Sequence, residues 1–82
     1  MSLNGTSSQA LIDARCAAAI AIEDALVRLG ECAPHGRDFS ANPNGYLQAV
    51  KIYHQRYVAL AQLAADLRRE AEMISEGKEN KA

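Results

Sequence analysis

Residues 46–74 read YLQAVKIYHQRYVALAQLAADLRREAEMI, and Tyr46, Val50, Tyr53, Tyr57, Leu60, Ala64, Leu67, Ala71 and Ile74 recur along that run at alternating spacings of four and three. This spacing returns each chosen side chain to one stripe of an α-helix, the heptad seam by which a helix packs against another. Lys51, Gln55, Gln62, Asp66 and Arg69 occupy other positions. Ile52, Ala59, Leu63 and Met73 add a second apolar strip, more than a single partner helix needs.

A second helical segment precedes it. Thr6 followed by Gln9 has capping-box spacing, and no proline interrupts the chain from there to residue 33. Leu11, Ile12, Ile22, Leu26 and Leu29 fall on one arc at about 100° per residue, with Asp13, Asp24, Arg28 and Glu31 opposite. Cys16, Ile20 and Val27 widen the arc, and Ala14, Ala18, Ala21 and Ala25 border it with small side chains suited to close helix approach. Between the two segments, residues 33–43 contain both prolines. Gly30 or Gly36 supplies a left-handed helix end, and Asn42 before Pro43 reads as a cap with proline at the first helical position, Asn44 being the rival cap.

The expected layout is a loose arm over 1–6, helix 1 over about 7–32, a loop over 33–43, helix 2 over about 44–76 and a frayed tail over 75–82. The fold class is all-α: an antiparallel two-helix hairpin, whose wide apolar arcs predict self-association into a four-helix bundle.

Composition agrees. The chain has 82 residues, 49% hydrophobic and 23% charged, with a net charge of −1 and 16 alanines against one phenylalanine. That is one small domain, too short for two-domain enzyme layouts and too apolar for disorder. Alanine favours helix and fills a core poorly, so a partner subunit is the expected source of extra stability. No 18-residue uncharged apolar run and no signal-peptide pattern is present, which predicts no membrane span, a cytoplasmic location and free thiols at Cys16 and Cys32.

Functional groups concentrate in the loop. His35, Arg37, Asp38 and Phe39 are the candidate partner-binding residues, with Gly36 allowing close backbone approach; the competing reading has Asp38 closing a turn, Arg37 pairing locally and Phe39 plugging the bundle end. Cys32, His35 and Asp38 carry the residue types of a thiol catalyst but no scaffold for an oxyanion hole, so an enzyme is not expected. Cys16, Cys32, His35 and His54 lack zinc-site spacing, and no metal or other cofactor is expected. Lys51, Arg56, Arg68 and Arg69 beside the seam tyrosines raise nucleic-acid binding as an alternative. Segment charges argue against it: four acids against two arginines over 1–32, four bases against three acids over 46–74.

The stretch Cys32-Ala33-Pro34-His35-Gly36-Arg37-Asp38-Phe39, with Asn42-Pro43-Asn44-Gly45 and a helix carrying Ala49, His54 and Arg56, resembles small open reading frames of phages and proteobacterial prophages. The resemblance covers the middle third of the chain. It implies a mobile-element origin and an unassigned function, and carries over no site residue. Together these readings predict a non-enzymatic interaction or adaptor module that binds itself, as dimer or tetramer, and a further protein; the alternative is a small nucleic-acid-binding regulator.

Overall fold

A computed structural model describes residues 7–80. Two helices, α1 (Ser8–Gly30) and α2 (Pro43–Asn80), are joined by a connection whose centre is a short 3-10 turn, Gly36–Phe39. The arm expected over residues 1–6 and its Thr6 cap lie outside the described residues. The cap observed is Ser7, whose hydroxyl accepts the Ala10 N–H at 3.0 Å. The amide of Gln9 donates to Asp13 Oδ1 at 2.9 Å, one turn on.

Helix α1 ends at Gly30, before the expected 32, and no left-handed glycine closes it. Glu31 caps it in right-handed geometry, φ −72°, ψ −15°. The N–H groups of Glu31, Cys32 and Ala33 donate to the carbonyls of Arg28, Leu29 and Gly30 at 3.0, 2.9 and 3.3 Å. Tightening to three-residue spacing satisfies the last carbonyls without positive φ, and Pro34 then forbids continuation.

Helix α2 starts at Pro43, one residue before the expected 44. Asn42 is its cap: Oδ1 accepts the Gly45 N–H at 3.0 Å, and its carbonyl accepts from Tyr46 at 3.2 Å. The amide group lies over Gly45, where a Cβ would come within 2.6 Å of Nδ2. Gly45→Ala therefore displaces the cap, offsetting the roughly 1 kcal/mol that alanine gains over glycine in a helix. Asn42→Ala costs about 1 kcal/mol. In the Asn42→Ala background the Gly45→Ala gain is recovered in full, and urea unfolding of the four proteins reads a coupling of roughly 1 kcal/mol.

At its far end α2 passes through Gly77 to Asn80, where a frayed tail was expected from residue 75. One glycine costs about 1 kcal/mol, and a helix already formed over about nine turns propagates past it.

The two helices run antiparallel, so that Arg15 meets Glu70 while Glu23 meets Arg68. Where they touch, the core is made of alanine: Ala19, Ala64 and Ala71 are 0%, 3% and 5% exposed, and among the described residues no large side chain is fully buried. Around them Ile12, Ile22, Leu26, Leu60, Leu67 and Ile74 are half-buried. Small residues at the contact let the backbones approach and leave larger neighbours wrapped around the seam. The result is a rod of 63 × 18 × 17 Å. Its radius of gyration is 18.9 Å, against about 12 Å for a globular domain of this length.

Candidate functional site

Of the seam residues named from sequence, Ala64 and Ala71 are buried, and Tyr46, Tyr53, Leu60, Leu67 and Ile74 are half-buried within the hairpin. Val50 and Tyr57 sit further out, at 38% and 39% exposure. Ala49 takes the inner position beside Val50. On α1 the arc is centred on Ala19, not on the large residues; Ile20 and Val27 face solvent, at 59% and 67% exposure. An apolar count weighs a leucine above an alanine, but close packing selects the small side chain, so the centre was missed.

The connection folds back along the first turns of α2 instead of standing clear as a loop. Phe39 packs on Tyr46, ring centres 5.9 Å apart and planes tilted by 48°, so it lies on the side of the first helical turn. His35 closes the turn, in place of Asp38: its Nδ1 accepts the Arg37 N–H at 3.4 Å, and its carbonyl accepts the Asp38 N–H at 2.9 Å. Arg37 and Asp38 are exposed and make no ion pair among the described residues.

Two open clefts flank this region. One, of about 320 Å³, is lined by Gly36, Phe39, Ser40, Pro43, Tyr46 and Leu47. The other, of about 250 Å³, lies between the end of α1 and α2 and is lined by Leu29, Cys32, Pro34, Ala49, Ile52, Tyr53 and Arg56. Both sit at or below the small end of ligand-site volumes, and their walls are chiefly apolar. Cys32 is exposed, its thiol 3.7 Å from the Arg28 carbonyl; Cys16 is half-buried, and both thiols are free. Among the described residues no three of His, Cys, Asp and Glu gather as a metal site. Among the described residues no helix is long and apolar enough to cross a membrane.

The strongest electrostatic feature was not foreseen. Arg68 holds Glu23 in a two-point contact, Nε to Oε2 at 2.7 Å and Nη2 to Oε1 at 2.6 Å, and Arg15 Nε donates to Glu70 Oε1 at 3.0 Å. These pairs span the two helices, so they require the interhelical register, which neither segment carries by itself. Arg68, one of four cations considered for nucleic acid, is thus committed to a carboxylate. Its hydrogen bond lowers the pKa of Glu23 below the usual carboxylate range, and Glu23 in turn raises that of Arg68. Glu23 releases its proton more readily folded than unfolded, so the pair stabilises the hairpin above the ordinary carboxylate range. That contribution is lost as pH falls through the lower folded-state pKa. Glu23→Gln accordingly lowers the urea midpoint slightly at pH 7 and leaves it unchanged near pH 2, a difference that a pH series of unfolding curves reads directly.

The fold and these surfaces define an all-α antiparallel hairpin with an alanine core and wide apolar flanks. No family model, no curated protein and no solved structure matches the chain.

Proposed function

We propose that the protein is a non-enzymatic interaction module that works as a homodimer, two hairpins packed face to face as a four-helix bundle. The observation that carries this is the burial deficit. A folded monomer of 8.8 kDa exposes about 4800 Å², whereas this chain exposes 6317 Å², roughly 1500 Å² more. Large apolar side chains contribute to that surface, Leu11, Ile20, Val27, Leu47, Val58, Leu63 and Met73 among them. An interface of ordinary size removes about 800 Å² from each partner, which takes up half of it.

The module presents the 33–43 connection to a further protein: His35 is turned to its own backbone, while Arg37 and Asp38 stand exposed beside the Phe39–Leu47 cleft and supply charge next to an apolar depression. The free thiols fit the reducing cytoplasm. The resemblance of residues 32–39 to phage and prophage reading frames supports a mobile-element origin.

Light scattering across a dilution series tests the reading. A mass of twice 8.8 kDa that persists on dilution supports it; a stable monomer overturns it.

A further inference from the structure

The exposed apolar residues divide between the two sides of the rod, and the ion pairs mark which is which. Glu23–Arg68 lies along one edge and Arg15–Glu70 along the other. On the Arg15–Glu70 side, α1 contributes Leu11, Ala18, Ile22 and Leu29, which fall within about 40° of one another, with Arg15 at their border as the one charge. On the other side Ile20 and Val27 are interleaved with Asp13, Asp24 and Glu31. The first side is the better interface, since charged residues are depleted at interface cores.

The α2 half of that side is laid out symmetrically in position about Leu63, which is 47% exposed, with like or complementary residues at matched distances. Ile52 and Ile74 stand eleven residues to either side of Leu63, Arg56 and Glu70 seven, Ala59 and Leu67 four. All seven positions lie within about 80° on the helix, and the outermost pair spans about 33 Å. The charged pair within the strip is of opposite sign. Arg56 makes no hydrogen bond or ion pair among the described residues, and Glu70, bonded to Arg15 through Oε1, leaves half of its side chain exposed.

Resting on the self-association reading, we infer that the partner on this face is a second copy of the chain turned end over end, its α2 antiparallel to the first and the two-fold axis at Leu63. Leu63 then meets Leu63 of the second copy, each isoleucine meets the other, alanine faces leucine, and Arg56 faces Glu70 at both ends. A parallel pairing would instead set Arg56 against Arg56 and Glu70 against Glu70, so the charges select the antiparallel register. Ala18 and Ala25 on α1 are small enough for the second pair of helices to approach closely.

Single-cysteine variants in a Cys16→Ala, Cys32→Ser background, mildly oxidised with oxidised glutathione, test the register while light scattering follows the mass. Leu63→Cys is expected to form a disulfide-linked dimer with itself. Arg56→Cys and Glu70→Cys are each expected to stay unlinked alone and to link when mixed. Arg56→Glu weakens the dimer roughly tenfold by opposing carboxylates at both ends, and adding Glu70→Arg recovers it. Self-linking of Arg56→Cys, or no linking of Leu63→Cys in a protein of dimeric mass, overturns the register and leaves self-association standing. A monomeric parent in this series overturns both.

Discussion

Ala64→Asp unfolds the hairpin. Ala64 is 3% exposed and sits where α2 meets α1, so a carboxylate there has no path to water that leaves the helices in contact. An unpaired buried charge costs at least 3 kcal/mol by order of magnitude, and the aspartate must protonate or force the helices apart. Small domains hold about 5 kcal/mol in all, and a rod with so little buried surface stands at the low end. Circular dichroism at neutral pH should show most of the helix signal lost. The adjacent Ala65→Asp is the control, since Ala65 is exposed and the change costs only helix propensity, about 0.7 kcal/mol. Equal effects at the two positions would remove Ala64 from the helix contact.

Ala19→Leu is the second large effect, and its sign runs against composition. Leucine is more apolar and nearly as good a helix former, so sequence alone predicts stabilisation. In the structure Ala19 is 0% exposed, on the face of α1 that packs on α2. Three added carbons have no space there, and overpacking of this kind costs about 1–3 kcal/mol. The urea midpoint should fall accordingly, whereas Ala21→Leu, on an exposed face of the same helix, should move it by no more than about 0.5 kcal/mol. A stabilised Ala19→Leu would mean that the helices are further apart than an alanine contact requires.

The contrast between Ala19 and Ala21 shows which features were legible. Helix existence was readable in both segments, because periodicity, alanine content and the absence of proline are local properties. The Asn42-Pro43 start of α2 was readable for the same reason, as cap and first-turn residue act on each other within three positions. The helix ends were read less well. Gly30 and Gly36 suggested a left-handed stop, but the chain uses right-handed three-residue bonds before Pro34. Gly77 suggested fraying, yet the helix runs through it to Asn80. In the candidate loop the residue types were visible and their tasks were not: His35, not Asp38, turns the backbone.

By itself, then, the sequence determined that the chain is two amphipathic helices with a proline-bounded connection, and that their apolar arcs are wider than one contact needs. Hydrogen-bond geometry and side-chain periodicity act over one or two turns, and that information is complete in each segment. Only the tertiary structure decided the interhelical register, and with it the alanine centre at Ala19, Ala64 and Ala71, the Glu23–Arg68 and Arg15–Glu70 pairs, and the folding of the connection onto Tyr46. Many sliding positions bury similar apolar area, whereas close packing and paired charges are satisfied together in very few. That choice depends on both helices at once.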